Sequence, residues 1–96
     1  MIVHIVMFKF KDDNKKENIL KAKDMLNALM GEVPSLLSME VGENFCDEDR
    51  AMDLSIIITF KDKDALNEYA THPTHLKVVE FIKEVAILSK VVDYQK

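Results

Sequence analysis

The stretch that most constrains the fold is Met52–Lys61. There Met52, Leu54, Ile56, Ile58 and Phe60 alternate with Asp53, Ser55, Ile57, Thr59 and Lys61. A period of two puts alternate side chains on opposite sides of an extended chain, so this is a strand with one wholly apolar face. Such a face needs neighbouring strands and a covering layer. Residues 2–11, rich in β-branched and aromatic side chains, supply a first strand. Both of its alternations are apolar. His4, Val6, Phe8 and Phe10 fall on one side, and Val3, Ile5 and Met7 on the other.

Between these strands the period changes. Ile19, Ala22, Met25, Leu26, Leu29, Met30 and Val33 recur at spacings of three and four, which predicts an amphipathic helix over 14–32. Asp13 or Asn14 is placed to cap its start, Glu17 adds negative charge to its first turn, and Gly31 and Pro34 are expected to end it. Leu37, Met39 and Val41 alternate with Ser38, Glu40 and Gly42 as another strand, followed by an acidic connection over 43–50. Asp62 can cap a short helix carrying Ala65, Leu66 and Tyr69. Pro73 stops that helix and suits the first position of the next, on which Leu76, Val79, Ile82 and Val85 or Ala86 form an apolar stripe. A last strand spans 87–94.

The order βαββα(α)β within 96 residues predicts one α+β domain over residues 1–96. Its expected form is a ferredoxin-like sandwich with all helices on one face of the sheet. The even residues of the Met52–Lys61 strand would then share the helix side with His4, Val6, Phe8 and Phe10. Val3, Ile5, Met7 and Ile57, joined by Ile87 and Val91, would form an apolar patch on the bare face. Soluble monomers rarely expose more than a few hundred Å² of such surface. A second copy packed through Val3, Ile5, Met7 and Ile57 is the simplest cover, which predicts a homodimer.

Thirteen basic residues against seventeen acidic ones argue against nucleic acid and anionic membranes as partners. No stretch approaches the ~18 apolar residues of a membrane span. The apolar start has no basic segment before it, unlike a secretory signal. The lone Cys46 cannot form an internal disulfide, which fits a reducing compartment, and a cytoplasmic location is expected.

The chemistry-bearing residues are few. Two of the three histidines lie in Tyr69-Ala70-Thr71-His72-Pro73-Thr74-His75. His75, in the first turn of a helix, is biased towards the neutral form by the helix dipole, which suits a general base. The Tyr69 phenol can donate to a developing oxyanion. His4, on the chamber side of its strand, can add a second polar contact. The same pattern also fits a helix-helix corner and a hydrogen-bonded core histidine, so whether the chain is an enzyme stays open. His72 and His75 are three apart with proline between them, a poor metal pair, and no metal site is expected. Asp47-Glu48-Asp49 lacks the pattern of a calcium loop and reads as a solvated hairpin tip. No phosphate-binding glycine loop, hydrolase elbow or dinucleotide fingerprint is present.

The segments VHIVMFKFK, Gly42-Glu43-Asn44, DLSIIITFKDKDALNEYATHPTHLKVVEF and the closing VVDY together resemble the stress-responsive A/B barrel (Dabb) family, of the dimeric α+β barrel superfamily. The resemblance covers nearly the whole chain, and Leu66-x-x-Tyr69-x-x-His72-Pro73-x-His75 is its most specific part. It implies a ferredoxin-like protomer, a dimer with facing sheets and no cofactor. Family members include a heat-stable plant stress protein and a polyketide cyclase acting by aldol condensation. The cyclase's base and tyrosine match His75 and Tyr69, and its first-strand histidine matches His4. A further cyclase histidine is replaced by Leu54 here, and Phe8 is bulkier than its aliphatic counterpart, implying a narrower cavity. The resemblance therefore implies a dimeric protein that binds a small apolar or carbonyl-containing ligand against Val6, Phe8, Leu54, Ile56 and Ile58. A cyclase-like enzyme, or a cofactor-free monooxygenase as elsewhere in the superfamily, are the alternatives it implies.

Overall fold

A computed structural model describes the whole chain, Met1–Lys96. Its elements follow as β1 (Ile2–Phe10), α1 (Lys15–Glu32), β2 (Leu36–Glu43), β3 (Leu54–Phe60), α2 (Lys63–Thr71), α3 (Pro73–Val85) and β4 (Ala86–Gln95). The strands form one sheet in the order β2-β3-β1-β4, antiparallel throughout. Each crossover helix joins two strands separated by a third, the split βαβ plan of a ferredoxin-like α+β sandwich.

The two central strands dictate the core. β1 pairs with β3 so that His4 opposes Ile58, Val6 opposes Ile56 and Phe8 opposes Leu54. Directly opposed residues share a face, so the even residues of both strands lie together. Leu54, Ile56, Ile58, Phe60 and Phe10 are all at most 2% exposed, packed with Ile19, Ala22, Leu26 and Leu29 of α1. The chamber-side parity read from the sequence therefore holds.

Several local expectations are corrected. Asn14 precedes α1 in a left-handed conformation (φ 53°), and no side chain caps that helix. Gly31 lies inside α1, which ends at Val33 in an extended conformation. The Val33 N–H bonds the Leu29 carbonyl, so the helix runs past the glycine and stops just before Pro34. In β2 a register shift between Leu36 and Ser38 turns Leu36 inward and leaves Leu37 exposed. On α3 the buried positions are Val78 and Ile82, while Leu76 is exposed. Val78 and Ile82 are one helical turn apart, and the preceding position on their stripe is His75.

The opposite face of the sheet carries Ile5, Met7, Ile57, Leu88, Val92 and Tyr94, with Met7, Ile57, Leu88, Val92 and Tyr94 each exposed. Val3 shares this face but is 5% exposed in the single chain, beside its cross-strand partners Thr59 and Tyr94. Val91 does not join them. It pairs with Val6 and lies on the helix side, because β4 aligns its odd residues with the even residues of β1. Ile87 falls at the irregularity opposite Lys9 and Phe10, where alternation breaks. No helix is long and apolar enough to cross a membrane.

Candidate functional site

The site is assembled at the corner between α2 and α3. Asp62 starts α2 by accepting the Ala65 N–H at 2.9 Å. The helix then carries Tyr69 into the core, where the residue is 2% exposed. His72 precedes a proline and is extended (ψ 134°), as the proline ring requires of its neighbour. Its Nδ1 accepts the Thr74 N–H at 3.1 Å, so the imidazole itself caps α3, with Pro73 in the first turn. The fixed corner places His75 one turn into the second helix and facing back towards the first.

There the His75 Nδ1 donates to the Ala70 carbonyl at 3.1 Å. A carbonyl oxygen can only accept, so this bond assigns the proton to Nδ1 and leaves the lone pair on Nε2. Burial pushes the His75 pKa below its ordinary value. The Ala70 bond opposes that shift, and the neighbouring His4 and His72 reinforce it. The imidazole is therefore neutral near pH 7 with a defined tautomer. Its ring lies 4.1 Å from that of Tyr69, centroid to centroid. Burial raises the phenol of Tyr69 above its usual range, so it stays protonated and acts as a donor. The Tyr69 hydroxyl makes no hydrogen bond to the protein, and the sole side-chain polar atom both buried and unpartnered is Ser35 Oγ. The Tyr69 oxygen thus keeps access to the adjoining cavity.

His4 completes the group from the sheet. Its ring packs edge-on against Tyr69 at 6.0 Å and against Phe60 at 6.3 Å. Its Nδ1 donates to the carboxylate of Asp93, the residue directly opposite on β4. This bond fixes the orientation of the ring. Asp93 was not singled out as a partner of His4 in the sequence, because only the β1–β4 register puts the two opposite each other.

Tyr69, His75 and His4 all line a partly open cavity of about 210 Å³ between the sheet and α3. Its walls are mostly apolar. Val6, Phe8 and Ile56 line it as expected from parity, together with Leu26, Val78, Val79 and Ile82. Leu54 and Ile58, expected beside them, do not. Both are at most 2% exposed and packed into the core; their cross-strand partners Phe8 and His4 line the cavity from β1, so the cavity lies towards the β1–β4 side of the sheet, which parity does not specify. The volume is below the ~300–1,000 Å³ of pockets that take drug-sized ligands.

No group of three or more His, Cys, Asp or Glu side chains is arranged to hold a metal ion. Cys46 is exposed in the β2–β3 connection, where the Asn44 side chain bonds its backbone N–H and C=O. Glu48 of the acidic tip pairs with Arg50.

Comparison with known proteins agrees with this architecture. The model of the stress responsive A/B barrel domain matches residues 2–96. A stress-response A/B barrel domain-containing protein of Arabidopsis thaliana, At5g22580, is 32% identical over 93 residues, covering 93% of this chain and 78% of the relative. A dimeric ferredoxin-like protein of unknown function from Bacteroides fragilis superposes with a TM-score of 0.88 at 26% identity, covering 99% of this chain and 95% of that one. The hydroxynitrile lyase of Passiflora edulis shares the fold, with a TM-score of 0.86 at 15% identity over 97% of this chain and 90% of its own. The chain belongs to the stress-responsive A/B barrel family.

Proposed function

We propose that the protein is a homodimer that binds a small carbonyl compound in the cavity between its sheet and α3. The observation that carries this reading is the unpartnered Tyr69 hydroxyl beside the neutral His75 in an otherwise apolar cavity. A phenol donor in apolar surroundings selects an acceptor oxygen on a hydrocarbon skeleton, because leaving either group unpaired there is costly. The dimer is supported by the exposed Met7, Ile57, Val92 and Tyr94 on the bare sheet face, and by the dimeric state named for the Bacteroides fragilis relative. Titration calorimetry with cyclohexanone and methylenecyclohexane, in which a CH2 group replaces the acceptor oxygen, tests the pocket. The ketone should bind roughly tenfold tighter, about the worth of one hydrogen bond in a dry site. Equal affinities, or no binding of either, would refute the reading.

A second reading is favoured by the His75 tautomer. With Nδ1 donating to Ala70, Nε2 is free to remove a proton from the carbon next to the carbonyl. Tyr69 would then hydrogen-bond the enolate oxygen, and His75 would return the proton, without any cofactor. Proton NMR in D2O reads this directly as exchange at the positions flanking the ketone. Catalysed exchange should exceed background by ~10²–10⁴ and vanish in His75→Ala. Exchange at the background rate would remove the catalytic reading and leave the binding one.

A further inference from the structure

The cavity's rim carries a feature that a purely apolar ligand does not use. Lys83 and Ser89 line the cavity and also line the shallow groove beside it formed with Ile82, Ala86, Ile87 and Leu88. Both residues are exposed, whereas Tyr69 at the other side of the cavity is buried. No residue lining the cavity is a carboxylate. Glu80 lies one turn before Lys83 on α3, yet no acidic side chain is within ion-pair distance of the Lys83 ammonium. Lys83 is in the last turn of α3, where the helix dipole favours a cation, but it makes no hydrogen bond to a terminal carbonyl. The Ile82 and Val85 carbonyls at the end of α3 are already taken by the N–H groups of Ala86 and Lys11. A lysine without an ion-pair partner and a serine therefore both border one end of an apolar chamber whose histidines and Tyr69 lie towards the other.

We propose that the ligand is a keto acid: its carbonyl meets Tyr69 and His75, its hydrocarbon body lies against Val6, Phe8 and Val79, and its carboxylate is held by Lys83 and Ser89. This rests on the carbonyl-binding reading of the cavity and adds the charge of the ligand. It implies discrimination between an acid and its ester, since an ammonium–carboxylate hydrogen bond is about twice as strong as a neutral one.

The test is calorimetric affinity for 4-oxooctanoate and methyl 4-oxooctanoate with wild type, Lys83→Gln and Lys83→Arg. Wild type should bind the acid about two- to fivefold tighter than the ester, the worth of a solvent-exposed ion pair. Lys83→Gln should erase that preference by weakening the acid alone, and Lys83→Arg should retain it. If both compounds bind wild type and Lys83→Gln with an unchanged ratio, the carboxylate assignment falls while the carbonyl pocket stands. If neither compound binds wild type, the pocket reading falls and this inference falls with it.

Discussion

Replacing Tyr69 by phenylalanine separates a ligand-directed hydroxyl from a structural one. The ring is 2% exposed and packs on His75 at 4.1 Å and on Phe60 at 5.3 Å. Phenylalanine keeps those contacts. The hydroxyl has no protein partner, so its removal breaks no intramolecular bond. Folding stability should therefore change by less than about 1 kcal/mol, whereas breaking a buried hydrogen bond costs about 1–3 kcal/mol. For a chain of this length 1 kcal/mol moves the melting temperature by roughly 5 °C. Thermal unfolding at fixed protein concentration should thus show a Tm within about 5 °C of wild type, or slightly raised. Affinity for methyl 4-oxooctanoate should fall about 3–10-fold, the worth of one lost hydrogen bond. A Tm lowered by more than about 10 °C with unchanged affinity would show that the phenol belongs to the packing, and would refute the argument for the site.

Three other outcomes follow from the geometry. Asp53 accepts the Phe10 N–H at 2.7 Å with its side chain 17% exposed, so Asp53→Ala should cost about 1–3 kcal/mol in a urea titration. His75 is held below its ordinary value of 6.5 when folded, so the unfolded chain takes up its proton first as pH falls. This group leaves stability untouched above pH 6.5 and erodes it from there down to the folded-state pKa. The stability gap between wild type and His75→Gln should therefore shift against wild type from pH 7.5 to 5.5 in parallel melts. Ile57→Asp puts a carboxylate in the middle of the bare sheet face, and sedimentation should find a dimer for wild type and a monomer for the variant; a dimer in both would place the interface elsewhere.

The fold was legible because alternation in β3 and the three-and-four spacing in α1 are consequences of geometry that survive in any context. Parity then put His4, Val6 and Phe8 on one side with Leu54, Ile56 and Ile58. What parity could not supply was which strand borders the cavity: Leu54 and Ile58 of β3 lie in the core, while their partners Phe8 and His4 on β1 line it. Phase was the second loss. Pro73 restarts the helical period, and the stripe expected to begin at Leu76 begins instead at His75, a phase set by the His72 cap and the Ala70 bond. Register was the third. The link between His4 and Asp93 joins residues 89 apart and is fixed only when β4 docks on β1. The same docking moved Val91 to the helix side, and the irregularity in β2 moved Leu37 outward. These are long-range facts, invisible to any short window of sequence.

The most direct test is a map of where a ligand touches the protein. Titration of isotopically labelled protein with 4-oxooctanoate, followed by amide and methyl NMR shifts, should perturb Val6, Phe8, Tyr69, His75, Val79 and Lys83 together. Shifts confined to the outer sheet face around Ile57 and Val92, or no saturable shifts at millimolar ligand, would contradict a binding chamber between sheet and helix.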